Sequence, residues 1–418
     1  MAAGTTHRPR RRLTWALALA GAWTIGFAGM APSAVAEDMR AKQWYLDAMH
    51  VDEIWKKTTG EGIKVAVIDS GVNASTPSLK GQVLKGVDAT TVNGKTDDND
   101  GHGTSMAELI AGTGRGGGLQ GLAPGVKIIP IRTNSSGSQE LKKNPWDMED
   151  GIRAAADSDA QIISMSFGTP YQTQRLADAV KYAHSKGKLL LAAVGNSGDK
   201  GNKREYPAAY PEVVGVAATD RDGKVGEFSQ HGSFVDIAAP GQDIPNWCDA
   251  TFTRYCDGAQ GTSSATAIAS ASAALIWSAH PDWTANQVLR VMFESAGKGE
   301  GWKPGTLSNY LGHGIVRPGA HINRGLGKPG DPNVNPLPDM KGAEGGASPA
   351  PSTPASGAAS APASSQAPQS KPTGDSSVAV SSEKADGGGQ LGLVLGGVAA
   401  AAVLAGGVFL IARKRRSS

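Results

Sequence analysis

Four residues in glycine-rich segments have side chains that could together carry out nucleophilic catalysis. Asp69 follows the apolar run 65–68, His102 lies between two glycines, and Ser263 precedes a long run of small residues. A histidine can act as a general base near neutral pH, and a carboxylate at a strand end can orient its ring. A serine at a helix N-terminus lies beside free N–H groups and the positive end of the helix dipole, which suits a nucleophile. The Asn196 amide could donate to the oxyanion that develops.

Each of these residues has a simpler structural explanation when it is taken alone. Asp69 could belong to a turn, His102 could be a structural residue at a helix start, and Ser263 could be a helix N-cap. Asn196 lies in an Asn-Ser-Gly sequence typical of turns, and Ser264 is an alternative nucleophile one residue further on. Taken together, however, the residues favour catalysis. Their order along the chain, Asp then His then Ser, is the order of the catalytic residues in subtilisin and differs from the orders in chymotrypsin and in the α/β-hydrolases.

Four sequence blocks resemble those of the subtilisin-like serine proteases, over about residues 40–325. The blocks are VAVIDSGV at 65–72, DGHGT at 100–104, AVGNSG at 193–198 and GTSSA at 261–265. The resemblance implies hydrolysis of peptide bonds, with Ser263 as the nucleophile, His102 as the general base and Asp69 as the carboxylate that orients it. It also implies an oxyanion hole formed by the Asn196 amide and the backbone N–H of Ser263.

The same resemblance assigns substrate binding to a further segment. Ser166, Phe167 and Gly168 are similar to the strand that pairs with the substrate backbone and lines the primary specificity pocket, and residues 134–138 could supply the opposite strand. Phe167 stands where the family has a leucine, so we expect it to narrow the pocket. Ala267 stands where the family has a proline at the helix start, which we expect to weaken packing slightly and to spare the chemistry.

Alternating strands and helices predict how these residues are positioned. Continuous apolar runs indicate buried strands, which are predicted at 65–68, 128–131, 162–163 and 189–194. Helical patterns lie between and after these strands, at 105–111, 148–156, 175–185 and 264–279. This alternation implies a parallel sheet with functional residues at the carboxyl ends of its strands. We therefore predict an α/β domain over 37–325. The family resemblance implies a three-layer subtilisin-like fold, in which helices cover both faces of a mostly parallel central sheet.

Both ends of the chain indicate export. An apolar stretch behind four arginines ends in Ala-Val-Ala, so residues 1–36 are predicted to be a signal peptide, with a retained membrane anchor as the alternative. Residues 326–390 are rich in Pro, Ala, Ser and Gly and are predicted to be a disordered linker. The uncharged stretch 391–412 is long enough to span a bilayer, and the basic tail 413–418 is expected in the cytoplasm. The peptidase domain is therefore expected outside the cytoplasm, held at the cell membrane by one helix.

Charge and motif patterns argue against several partners and cofactors. The chain has 41 basic and 38 acidic residues, but eight of the basic residues lie in the two terminal regions. The rest of the chain therefore has 33 basic and 38 acidic residues, a net charge of −5. With this net charge, it is not expected to bind nucleic acid. The acidic segment 97–100 lacks the glycine and glutamate of an EF-hand loop and is interpreted as a solvated loop. No zinc-binding pattern of histidines and cysteines is present, so we expect no metal and no cofactor.

The two cysteines, Cys248 and Cys256, agree with export. They are close in sequence, and a disulfide between them is favoured in an oxidising compartment, with two free buried thiols as the alternative. Closing so short a loop would contribute about 2–3 kcal/mol in the chain-entropy account of disulfides.

The order of segments resembles one branch of the family, the mycosins, which are membrane-anchored subtilases of actinobacterial type VII secretion systems. Only 27 residues, 37–63, separate the predicted signal peptide from the first strand, too few for a long folding propeptide. The resemblance implies a peptidase that cleaves a protein or peptide substrate beside a type VII secretion membrane complex. The alternative is a structural subunit that stabilises such a complex, with catalysis secondary. An esterase of the α/β-hydrolase class is excluded by the residue order and by the absence of Gly-x-Ser-x-Gly around Ser263.

Overall fold

The computed structural model describes residues 1, 4, 39–134, 144–299, 302, 303 and 305–337. The predicted membrane span 391–412, the basic tail 413–418 and residues 338–390 of the predicted linker lie outside these residues. The predicted signal peptide also lies outside them, apart from residues 1 and 4. Among the described residues, no helix is both long enough and apolar enough to cross a membrane. The fold described below is therefore that of the predicted peptidase domain and the start of the segment that follows it.

Strands and helices alternate along the described chain as the sequence predicts. The strands are β1 Lys64–Asp69, β2 Val87–Asp88, β3 Lys127–Arg132, β4 Ile162–Met165, β5 Leu189–Ala193, β6 Val214–Thr219, β7 Ile237–Pro240, β8 Ile244–Trp247 and β9 Tyr255–Ala259. The helices are α1 Trp44–Ala48, α2 Val51–Trp55, α3 His102–Ala111, α4 Asp147–Asp157, α5 Gln174–Ser185, α6 Thr262–Ala279, α7 Ala285–Ser295 and α8 Pro318–Arg324. Short 3-10 helices occupy Met39–Lys42, Arg115–Gly117 and Gly198–Lys200.

Seven strands form one sheet in the order β2-β3-β1-β4-β5-β6-β7, and every paired neighbour is parallel. The two remaining strands, β8 and β9, form a separate antiparallel hairpin. The predicted α/β fold with a mostly parallel central sheet is thus confirmed. Because the strands are parallel, the segments that follow β1, β4 and β5 all emerge at one edge of the sheet.

Helices cover both faces of this sheet because its strands are apolar on both sides. Along β1, Val65 and Val67 enter one hydrophobic core, and Ala66 and Ile68 enter the other. The first core also contains residues of α3, α6 and α7, whereas the second contains residues of α4 and α5. The sheet therefore lies between two helical layers.

Helix α6 is buried along almost its entire length. Its Ala and Ser residues allow it to pack closely on β4, β5, β6 and β7. Ala267, which replaces the proline of the family pattern, is fully buried in the first core. The helix begins at Thr262, two residues before the predicted start, so Ser263 lies in its first turn.

The packed chain extends further than the predicted domain end at 325. Leu337 is 2% exposed and belongs to the first core. The Pro332 carbonyl accepts hydrogen bonds from Thr284 Oγ1 at 3.1 Å and from Asn286 Nδ2 at 2.9 Å. Residues 326–337 are rich in Pro and Gly, which predicts a linker. Composition does not predict contacts made by a backbone carbonyl and by one buried apolar side chain, that of Leu337.

Candidate active site

Asp69 and His102, predicted to act together, are joined by a hydrogen bond. Nδ1 of His102 lies 2.8 Å from Oδ1 of Asp69. Asp69 is the last residue of β1 and its side chain is fully buried, whereas the side chain of His102, the first residue of α3, is 37% exposed. Because Asp69 occupies Nδ1, Nε2 is the ring nitrogen that can take up a proton.

The surroundings of His102 change how readily its ring is protonated. Burial by itself lowers the pKa of the imidazole, but the carboxylate of Asp69 outweighs this effect and raises the pKa above the ordinary value of 6.5. Asp100 and Asp98 act in the same direction with smaller effects. The ring is therefore a stronger base than a free imidazole.

The segment before His102 is held by the buried carboxylate of Asp98, which is 6% exposed. Its Oδ1 accepts the backbone N–H of Gly101 at 3.0 Å, and its Oδ2 accepts the backbone N–H of Thr104 at 2.9 Å. Two of the free N–H groups at the start of α3 and in the turn before it are thereby satisfied. The interpretation of 97–100 as a solvated loop is thus wrong for Asp98, because this carboxylate supports the fold.

Close contact between the end of β1 and the start of α3 requires a glycine. A side-chain carbon added at Gly103 would lie 2.2 Å from the carbonyl oxygen of Gly71 and 3.0 Å from Cβ of Asp69. The hydroxyl of Ser70 accepts the Gly103 N–H at 3.0 Å and donates to Asp98 Oδ1 at 2.9 Å. The role of Ser70 was not predicted from the sequence, although the residue lies inside the block 65–72.

Ser263 lies in the first turn of α6 and is 8% exposed. Its hydroxyl donates a 3.4 Å hydrogen bond to the carbonyl of Ser166. Among the described residues, the Ser263 hydroxyl forms no hydrogen bond with the His102 ring. Such hydrogen bonds are often long or absent before substrate binds. Ser263 lines a pocket that does not include the neighbouring Ser264.

The side chain of Asn196 is exposed just beyond β5, and Thr262 fixes its orientation. Oδ1 of Asn196 accepts hydrogen bonds from the backbone N–H of Thr262 at 2.8 Å and from its hydroxyl at 3.0 Å. Because the oxygen is engaged in this way, the amide nitrogen is the group left to donate to a ligand. The role of Thr262 was not predicted from the sequence, although the residue directly precedes Ser263.

The predicted substrate-binding residues and the predicted catalytic serine line one pocket of about 320 Å³. The lining residues are Ser166, Phe167, Gly168, Ala193, Gly195, Asn196, Ser197, Glu205, Thr262 and Ser263. Phe167 is 6% exposed and also belongs to the second hydrophobic core. Of the suggested opposite strand, only Asn134 lies within the described residues.

A disulfide joins Cys248 to Cys256, as predicted, and closes the loop between β8 and β9. This hairpin packs against α3, where the backbone N–H of Trp247 donates to Ser105 Oγ at 2.9 Å. The rings of Trp247 and Tyr255 stack with centroids 3.8 Å apart. Within the described residues, no group of three or more His, Cys, Asp or Glu side chains is arranged to hold a metal ion.

Comparison with known proteins defines the class of this protein. The sequence model of the subtilase family matches residues 60–314, which is more than half of the chain. The chain therefore belongs to the subtilase family, and it is a serine endopeptidase that acts on protein or peptide substrates. Thermitase from Thermoactinomyces vulgaris is 32% identical over 278 residues, which cover 65% of this chain and 95% of thermitase.

Two solved structures resemble the fold. The structure of MycP1 from the ESX-1 type VII secretion system is 25% identical with a TM-score of 0.58, and the match covers 74% of this chain and 91% of MycP1. Fervidolysin from Fervidobacterium pennivorans, described as a keratinolytic enzyme related to subtilisin, is 27% identical with a TM-score of 0.59. That match covers 69% of this chain and 46% of fervidolysin, so the chain spans less than half of that protein. The predicted resemblance to mycosins is confirmed.

Proposed function

We propose that this chain hydrolyses peptide bonds through an acyl-enzyme on Ser263, with His102 as general base and Asp69 as the group that orients it. The observation that carries the proposal is the 2.8 Å hydrogen bond between Asp69 and His102, together with the position of Ser263 in the substrate pocket. The buried carboxylate keeps the proton on Nδ1, so that Nε2 can accept the proton of the serine hydroxyl.

In the first half of the reaction, Ser263 Oγ forms a bond to the substrate carbonyl carbon while its proton passes to His102 Nε2. The negative charge on the carbonyl oxygen is stabilised by Asn196 Nδ2 and by the backbone N–H of Ser263. The C–N bond then breaks, and His102 gives its proton to the departing amine. In the second half, water attacks the ester while His102 takes and returns a proton, which releases the carboxylic acid and regenerates Ser263.

The substrate backbone is proposed to pair with the segment 166–168, which follows β4. Two features support this role: the segment lines the pocket that contains Ser263, and the carbonyl of Ser166 accepts the hydrogen bond of that serine. Substrate binding would release the serine hydroxyl from this carbonyl and allow it to turn towards His102.

For the cellular role, we propose a mycosin that works beside a type VII secretion complex, with its peptidase domain outside the cytoplasm. Support comes from the predicted signal peptide 1–36, linker 326–390, membrane span 391–412 and basic tail 413–418, together with the similarity to MycP1. A second candidate function is a structural subunit that stabilises the secretion complex. The similarity to a protein from a secretion system is compatible with both functions.

Labelling of the full chain with a fluorophosphonate probe tests the catalytic assignment. We expect the probe on Ser263 in the wild type, no labelling of Ser263→Ala or His102→Ala, and full labelling of Ser264→Ala as the matched control. The expectation for His102 follows from its role in removing the serine proton. Labelling on Ser264, or labelling that persists without His102, would contradict the assignment.

Cell fractionation and secretion assays test the cellular role. A chain truncated before residue 391 should appear in the medium as an active peptidase; a truncated chain that stays with membranes in high salt would contradict the simple tether. Comparing secreted proteins from wild-type and Ser263→Ala cells by N-terminal peptide mapping identifies the substrate. Secretion that survives Ser263→Ala but fails without the protein would favour the structural subunit.

A further inference from the structure

The pocket beside Ser263 contains one carboxylate that the proposed reaction does not use. Among its described lining residues, Glu205 is the only acidic or basic side chain. The other lining residues are small or uncharged, apart from the ring of Phe167. Glu205 lines this pocket and is partly buried, so it is partly shielded from solvent.

The backbone holds Glu205 against the proposed substrate-binding segment. The next residue, Tyr206, forms an antiparallel bridge with Thr169, with N–H···O distances of 2.8 and 2.9 Å. A side-chain carbon added at Gly168 would lie 2.3 Å from Glu205 Oε2, and one added at Gly195 would lie 2.9 Å from Glu205 Cδ. The carboxyl group therefore occupies space that glycines leave open after both β4 and β5.

No cation of the described chain compensates the charge of Glu205, since none of its Lys, Arg or His side chains forms an ion pair with this carboxylate. The adjacent Arg204 is directed elsewhere: its Nη2 donates to Ser233 Oγ at 3.3 Å, and its guanidinium lies over the ring of Phe234. Burial raises the pKa of the Glu205 carboxyl, and the neighbouring Gln230 amide opposes this effect. A positively charged ligand would offset the free-energy cost of partly burying a carboxylate that has no cationic partner.

We propose that Glu205 makes this peptidase selective for substrates with a lysine or arginine side chain on the residue whose carbonyl is attacked. The inference rests on the proposed function, because it requires that Ser263 attacks a carbonyl held beside this pocket. Apart from the ring of Phe167, the walls beside the carboxylate are formed by small or uncharged residues, among them Gly168, Ala193 and Gly195. A bound basic side chain in this pocket would therefore meet Glu205 as its one charged partner among the described lining residues. An ion pair in this partly desolvated position is stronger than one at the surface.

Peptides that differ at a single side chain test this selectivity. The full chain is assayed with four otherwise identical fluorogenic peptides that carry lysine, arginine, norleucine or glutamine at the cleaved residue. Norleucine is the matched control substrate, since it keeps the aliphatic chain of lysine and lacks its charge. We expect kcat/KM in the wild type to be on the order of ten- to a hundredfold higher for lysine or arginine than for norleucine.

Three variants separate the role of Glu205 from general effects. Glu205→Gln should lose this preference while it keeps hydrolysis of the norleucine peptide. Glu205→Lys should cleave the lysine and arginine peptides more slowly than the norleucine peptide, because like charges would then meet in the pocket. Glu227→Gln, which removes the same charge from an exposed residue that does not line the pocket, should keep the wild-type preference. Fluorophosphonate labelling of every variant counts the active sites, so a misfolded variant is recognised.

The outcomes are distinct. A wild type that cleaves the norleucine peptide as fast as the lysine peptide overturns the proposal, and so does a preference that survives Glu205→Gln in a labelled enzyme. In both cases the catalytic assignment stands, because hydrolysis and labelling are observed. Absence of both labelling and hydrolysis of all four peptides would overturn the proposed function itself, and the inference with it.

Discussion

A buried carboxyl group on the helix that carries His102 should make the stability of this protein depend on pH. Glu108 in α3 is fully buried, and its carboxyl oxygens accept hydrogen bonds from Thr76 Oγ1 at 2.7 Å and from the Tyr255 hydroxyl at 2.8 Å. Tyr255 belongs to the disulfide-closed hairpin, so Glu108 joins that hairpin to α3. The perturbation is Glu108→Gln, which keeps the shape of the side chain and removes its ability to ionise.

The size of the effect follows from the change in pKa. Burial raises the pKa of Glu108 from 4.5 to about 7, and the hydrogen bonds from Thr76 and Tyr255 oppose part of this rise. A carboxyl group that binds its proton more tightly in the folded state contributes full stability below pH 4.5, and this contribution is lost as the pH rises through about 7. At about 1.36 kcal/mol per pKa unit, the rise corresponds to about 3 kcal/mol.

Urea denaturation at several pH values, followed by tryptophan fluorescence, measures this contribution. All chains carry Ser263→Ala to prevent self-cleavage, and Glu227→Gln, which replaces an exposed carboxylate, is the matched control. Between about pH 5 and about pH 9, the free energy of unfolding should fall by about 3 kcal/mol more in the chain that keeps Glu108 than in the Glu108→Gln variant. Parallel pH dependence in these two chains would refute the reasoning. A similar change caused by Glu227→Gln would refute it as well.

Four further expectations concern the site and its supports. Asn196→Ala should lower kcat by about 10²–10³-fold with little change in KM in peptide hydrolysis; an unchanged kcat would remove the amide from the oxyanion hole. In Gly103→Ala, the new carbon would lie 2.2 Å from the carbonyl oxygen of Gly71. This substitution should slow fluorophosphonate labelling and lower the free energy of unfolding by about 1–3 kcal/mol. A labelling rate equal to that of the wild type would show that the turn can relax. Alkylation without reductant should leave Cys248 and Cys256 unmodified in mass spectra of the exported protein, and two alkylated thiols would contradict the disulfide. The value of kcat/KM should rise with pH through the pKa of His102, with an inflection above 6.5; an inflection below that value would mean that the neighbouring carboxylates do not raise this pKa.

The sequence alone was enough to place the features of this protein that depend on short stretches of chain. Continuous apolar runs indicated the parallel strands, because strands buried on both faces need apolar residues on both sides. Asp69, His102 and Ser263 could be singled out because each lies in a short block of glycines and polar residues at an element boundary. The pairing of Cys248 with Cys256 followed from their small separation and from the expected compartment.

Only the tertiary structure revealed the residues whose roles depend on contacts between distant segments. The acidic sequence around Asp98 predicts a solvated loop, whereas in the folded chain its carboxylate accepts N–H groups at the start of α3 and in the turn before it. Glu205 reaches the pocket because the chain beside it pairs with Thr169, more than thirty residues earlier in the sequence. Leu337 lies in a stretch whose composition predicts a linker, yet it is buried in the core. Composition and local pattern report the preferences of neighbouring residues, whereas burial and charge compensation depend on which distant segments the fold brings together.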